Sequence, residues 1–217
     1  MIKIFSHPRS GTHFLEAFVA NNFYPNRDLS VKDLTWGHWS NRKTKELNPY
    51  GQLFGGHHFP KRSFRLKPKP LLYIYRDGRA VAYSIWKTPN FLNREMSGLS
   101  FSEFLRTPLD WKGSPGNKIG EGLTIFEHWS KHVEEWSRLK GNIVLISYEE
   151  LLENPGKVYK KILLHCFPMQ YYKKFNNTDI KIIEKPLGLL PNKGSKDSWK
   201  KVFNEDDLKY YQNFISK

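Results

Sequence analysis

Apolar residues fall along this chain in short clusters, and the spacing inside each cluster predicts the element. Ile2 to Phe5 is a short first strand, and Pro8 to Thr12 then turn the chain with Gly11 and small hydroxyl residues. Phe14, Leu15, Phe18 and Val19 recur at helical spacing, which predicts a helix from about Thr12 to Asn21. Asn22 to Tyr50 has little periodicity, and Gln52 to Gly56 reads as a second strand ending at His57-His58. Pro68 and Pro70 break the chain before Leu71 to Tyr75, a continuous apolar run typical of a buried parallel strand. Asp77-Gly78 turns it into a helix from Arg79 to about Trp86. Residues 87–120 read as loop-rich, with Lys112 to Gly116 the most mobile point.

Ile125, Trp129, Val133 and Trp136 mark one face of a long amphipathic helix, Glu121 to Leu139. Ile143 to Ser147 is another buried strand, and Tyr148 to Glu153 opens a helical region that Val158 to Cys166 continues past Asn154-Pro155. A basic, glycine-containing tail runs from Pro186, and Glu205 to Ile215 closes the chain with a helix. Strand, turn and helix recur at least three times. That order predicts an α/β fold, a central and mainly parallel sheet flanked by helices, in one undivided domain over 1–217.

Composition sharpens this picture in two places. Lys and Arg number 35 against 21 Asp and Glu, a formal net charge of +14, which favours anionic partners. The basic residues are spread along the chain rather than massed in a tail, which weakens a nucleic-acid reading. Cys166 is the only cysteine, so an internal disulfide and a Cys-rich metal site are both excluded. No signal-peptide pattern and no stretch of transmembrane length is seen, so the expected location is cytoplasmic.

The strongest chemical signal is Pro8-Arg9-Ser10-Gly11-Thr12, set between a strand and a helix. Gly11 permits a tight turn, the first N–H groups of the helix favour an anion, and Arg9, Ser10 and Thr12 add donors. An ordinary turn with Thr12 as N-cap is the plainer reading. A Walker A loop is absent, so the loop suits a phosphate but not the usual nucleoside triphosphate site. A second signal is Tyr75-Arg76-Asp77-Gly78-Arg79 with Ser84 eight residues after Arg76. Arg76 ends a buried strand, where open α/β sheets bind ligands; the plainer reading is that Arg76 and Asp77 pair with one another or cap the turn, and that Ser84 is a helix-surface residue. Asn192-Lys193-Gly194 and Asp197-Ser198-Trp199-Lys200 form a third, weaker signal that could close over a phosphate.

Together, and in this order, these segments resemble the sulfotransferases that use 3′-phosphoadenosine 5′-phosphosulfate (PAPS), a family with a P-loop-like α/β fold. The resemblance implies that Arg9, Ser10, Gly11 and Thr12 hold the 5′-phosphosulfate. Arg76 and Ser84 would hold the 3′-phosphate, helped by Lys193 and Gly194. Phe14 stands where cytosolic members place an adenine-stacking Trp, and Tyr148 matches a Tyr near the adenine, although it also reads as an ordinary Tyr at a helix start. Gly55-Gly56-His57-His58-Phe59-Pro60 resembles the family's His-x-Pro segment, which makes His58 the general base and Arg9 its catalytic partner at the leaving group. His57 would project to the opposite side.

Three positions depart from the family: Arg9 replaces the Lys of most cytosolic members, Asn192 replaces Arg, and Ser198 replaces Asp. The family's adenine-lining segment has no recognisable counterpart between Tyr171 and Pro191. The expected reaction is sulfuryl transfer to a small-molecule or carbohydrate acceptor bearing a hydroxyl or amine, with no metal, no nucleic acid and no membrane span. The rival readings are a kinase-like phosphotransferase and a non-catalytic module binding polyanions or nucleic acid. Trp36, His38, Trp39, Phe91 and Trp111 are candidate walls of an acceptor pocket or core aromatics.

Overall fold

A computed structural model describes residues 2–24, 53–66, 70–89, 92–93, 96, 98–112, 119–139, 142–170, 172–175 and 197–215. The predicted strands appear as β1 (Lys3–Ser6), β2 (Phe54–Gly56), β3 (Leu71–Tyr75) and β4 (Ile143–Ser147). They form one sheet in the order β2-β1-β3-β4, and every pairing is parallel. The expectation of a mainly parallel sheet holds for all four described strands.

Side-chain alternation assigns the two faces of the sheet. Ile4, Leu72, Ile74, Val144 and Ile146 point to one side, where α1 (Thr12–Phe23) covers them with Leu15, Phe18 and Val19. Tyr148 to Glu153 forms α5 and Pro155 to Cys166 forms α6, and both add to that layer through Leu151, Val158 and Ile162. Phe5, Leu71 and Tyr73 point to the other side, against Trp136 of α4 (Ile125–Ser137). A second apolar cluster joins α4 to α2 (Gly78–Lys87), α3 (Phe101–Arg106) and α7 (Glu205–Ile215).

Three boundaries differ from the periodicity. α4 starts at Ile125 rather than Glu121, because Gly122 takes a left-handed φ of 72° and the Glu127 carboxylate accepts from the Thr124 N–H at 2.8 Å. α6 starts at Pro155, whose fixed φ suits the first helical turn. α3 lies inside a stretch expected to be loop: Ser100 and Glu103 cap its start reciprocally, and Phe101, Phe104 and Leu105 are buried. Within the expected mobile point, residues 113–116 lie outside the described residues.

The connection after β1 leads to β2 on one flank, while β3 leads to β4 on the other. The reversal falls at the β1–β3 boundary, and a parallel sheet opens a ligand crevice at such a point. Both anion-binding candidates begin there.

Candidate active site

The first loop turns through two left-handed residues, Arg9 at φ 64° and Gly11 at φ 91°. Gly11, not Thr12, caps α1, and no side chain caps it. The first helical bond runs from Leu15 N–H to the Gly11 carbonyl, so the N–H groups of the turn before it lie outside the helical ladder. No acidic residue occupies that first turn. Thr12 instead hydrogen-bonds Ser6 at the end of β1, 2.7 Å between hydroxyls. The Ser10 hydroxyl is buried and has no hydrogen-bond partner among the described residues. Such an atom costs free energy unless a ligand or solvent satisfies it. Burial pushes the Arg9 guanidinium down to about 10, an environment that an anion would reverse.

The second segment meets the first at one ring. Arg76 leaves the end of β3, is 7% exposed, and lies over the Tyr148 ring with its guanidinium carbon 4.6 Å from the centroid. The edge of the same ring fills the space a Gly11 side chain would need: a Cβ there would stand 2.3 Å from Tyr148 Cδ2. Phe14 meets Tyr148 edge-on at 5.9 Å. Tyr148 therefore joins Gly11 and Phe14 to Arg76, so that three separate stretches of sequence meet at its ring.

Asp77 does not pair with Arg76. It caps α2 by accepting from the Arg79 N–H at 2.8 Å and forms an ion pair with the Arg79 side chain at 2.6 Å. Ser84 is buried on α2, not on its surface. Lys193, Gly194 and Asn192 lie outside the described residues, as do Trp36, His38, Trp39 and Phe91. The described end of the tail docks beside the second segment, with the Arg79 guanidinium 4.0 Å over Trp199.

The two histidines after β2 occupy different environments. His57 is buried, and its Nδ1 donates to the Ser6 carbonyl at 2.9 Å. Burial pushes the His57 imidazole down to about 3 against the opposing Ser6 bond, and the positive fields of His13, His58 and Arg9 add to the shift. His58 is partly exposed, and its Nδ1 donates to the Phe59 carbonyl at 3.0 Å. That bond fixes the neutral tautomer with its lone pair on Nε2. The ring lies over Gly56, where a Cβ would come within 2.9 Å of Nε2.

The sequence places Trp129 and Trp136 on the apolar face of α4 and leaves histidines other than His58 as structural, but it does not show what His128 and His132 of α4 pair with. His128 Nδ1 lies 3.0 Å from His7 Nε2, and His132 Nδ1 lies 2.8 Å from the Tyr73 hydroxyl. Their i, i+4 spacing on the apolar face of a helix was the available signal. Trp111 packs against His7 and His128, inside this core.

The resulting fold is that of sulfotransferases. Mouse sulfotransferase SULT7A1 complexed with PAP superposes with a TM-score of 0.61 at 17% identity, covering 99% of this chain and 82% of that one. Retinol dehydratase in complex with androsterone and inactive cofactor PAP superposes with a TM-score of 0.63 at 16% identity, covering 99% and 79%. The sulfotransferase domain family model matches residues 2–166, and the chain belongs to that family. Among curated relatives, the 3-beta-hydroxysteroid sulfotransferase of Cavia porcellus is 30% identical over 176 residues, 72% of this chain and 55% of that protein. Sulfotransferase 2A1 of Macaca fascicularis is 27% identical over 177 residues, 73% and 56% respectively. The chain thus spans about half the length of these two relatives.

Proposed function

We propose that the chain moves a sulfuryl group from PAPS to a hydroxyl or amine acceptor, with His58 as general base. The observation that carries this reading is the convergence on Tyr148 of Gly11 from the first anion segment and Arg76 from the second. A nucleotide with phosphates at both its 5′ and 3′ positions needs two such segments at a fixed separation. The buried Ser10 hydroxyl, unpartnered among the described residues, and the buried Arg9 guanidinium fit the 5′ end. Arg76 and Ser84 serve the 3′ end and Phe14 and Tyr148 line the adenine; the resemblance adds Lys193 and Gly194 to the 3′ end, both outside the described residues.

PAPS supplies an activated sulfuryl group with a 5′-phosphate leaving group. The residues of the chain do the rest. His58 Nε2 accepts the proton of the acceptor, its tautomer set by Phe59. Arg9 and the first N–H groups of α1 hold the negative charge that develops opposite the acceptor. They are already oriented, so little reorganisation is needed during the reaction. The acceptor is a small molecule or carbohydrate; steroid-like alcohols are the first class to try, given the names of the relatives.

Incubation with sulfur-labelled PAPS and a panel of alcohols, phenols, sugars and amines tests this reading. The expected outcome is a labelled product that disappears in His58→Ala. Transfer of labelled phosphate from ATP with none from PAPS would replace it with a kinase-like reading.

A further inference from the structure

Four ring N–H groups on one helix reach the ends of three strands. Trp129 Nε1 donates to the Arg76 carbonyl at 3.1 Å, beyond β3. His132 Nε2 donates to the His57 carbonyl and Trp136 Nε1 to the His58 carbonyl, each at 3.2 Å, beyond β2. The fourth bond reaches the loop after β1. His7 Nδ1 faces the Pro8 carbonyl at 3.0 Å and must carry the proton, so His7 Nε2 accepts and His128 Nδ1 donates to it. Positions 128, 129, 132 and 136 fall within an arc of about 100° on a helix of 3.6 residues per turn. A single face of α4 therefore contacts all three segments named in the proposed reaction: the phosphosulfate loop, the base and the 3′-phosphate arginine.

We propose that α4 is the positioning element of the site, fixing the base and Arg76 relative to the phosphosulfate loop through the ring N–H groups of His128, Trp129, His132 and Trp136. These four are positioning residues: they act through backbone carbonyls and His7. The arrangement suits that role because in-line transfer demands a fixed distance between groups that sit on different strands. Loop ends are otherwise free to drift, and a carbonyl held from behind fixes the direction in which its own side chain leaves the backbone. The tautomers agree throughout: His132 Nε2 carries the proton, leaving Nδ1 to accept from the Tyr73 hydroxyl at 2.8 Å. Gly78 permits this approach at α2, since a Cβ there would stand 2.9 Å from Trp129.

The inference rests on the proposed function, and its test separates the two. Affinities for adenosine 3′,5′-bisphosphate and adenosine 5′-phosphate are measured by calorimetry for the full chain, Trp129→Phe and Trp136→Phe, with melting temperatures and turnover of labelled PAPS alongside. Each Phe variant removes an N–H and keeps an aromatic ring. Trp129→Phe is expected to weaken the bisphosphate about fivefold to tenfold, the scale of one buried hydrogen bond, and the monophosphate less than about twofold. Trp136→Phe is expected to leave both affinities within about twofold and to lower kcat about tenfold. His132→Phe should lower kcat likewise, and His132→Gln, which keeps an amide donor, should recover most of the loss. Parallel losses for both nucleotides, in step with melting temperature, would reduce α4 to a supporting helix and overturn the inference. If the unmodified chain prefers the bisphosphate but Trp129→Phe leaves that preference intact, the inference alone fails. If the unmodified chain does not prefer the bisphosphate, the reading of Arg76 fails and takes the inference with it.

Discussion

Gly11 has no space for a side chain, and its φ of 91° would strain one in any case. Gly11→Ala must push Tyr148 away, and Tyr148 is what Arg76 rests on. This variant is expected to lose most of its bisphosphate affinity while retaining its sheet, as judged by calorimetry and circular dichroism; unchanged affinity would sever the link drawn between the two segments. The adjacent histidines divide in a similar way. His58→Ala should lower turnover by about a hundredfold or more with nucleotide binding retained, the usual scale for a general base. His57→Ala should keep more turnover but melt at lower temperature, because its Nδ1 ties β2 to Ser6. The reverse pattern would move the base to His57. At this scale the sequence was readable in placement: Gly11 makes the tight turn before α1 and Arg76 follows the end of β3, as expected. The partners of His7, His128 and His132 were not readable, because they lie 121 and 59 residues away in the chain.

Elements were legible where apolar spacing was long or continuous. β3, β4, α5 and α7 match their predicted limits residue for residue. α3 escaped because it has only six residues, too few for periodicity to register, yet its Ser-x-x-Glu start at Ser100 was visible. The same signature at Thr124 sets the true start of α4, and Thr124→Ala is expected to cost about 1 kcal/mol in chemical denaturation. The histidines around α4 also give the fold a pH response. Burial holds His7 and His132 well below the ordinary imidazole range and His57 near 3. In the unfolded chain all three take up protons below about 6.5, while the native state does not. The unfolded state therefore binds more protons, and stability falls as pH falls from 6.5 towards the folded values. Buried Glu16, pushed up from its usual range, acts in the opposite sense, since the native state holds its proton longer. Three imidazoles against one carboxyl predict a melting temperature that drops steadily between pH 7 and pH 5. A flat or rising profile would mean that these rings are solvated in solution.

For the molecule as a whole, both ends of one nucleotide should register in a single measurement. A ligand confined to the native state at a hundredfold excess over Kd adds about 2.7 kcal/mol, or on the order of 5–10 °C in melting temperature for a chain of this size. Adenosine 3′,5′-bisphosphate should give such a shift, Mg-ATP much less, and Arg9→Ala and Arg76→Ala should each shrink it. A shift with any polyanion that vanishes in moderate salt would instead trace to the +14 net charge. Global topology was only partly legible, since strand spacing predicts a parallel sheet but not its order. That order has a consequence for motion. β3 lies between two partners, whereas β2 has three residues and pairs with β1 alone among the described strands. Amide hydrogens at Phe54 to His58 should therefore exchange with deuterium well before those at Leu71 to Tyr75. In the proposed reaction the donor half of the site is built into the middle of the sheet, while His58, the proposed base, follows the strand at its margin. On that proposal, substrate range would drift through changes at the margin without disturbing the nucleotide.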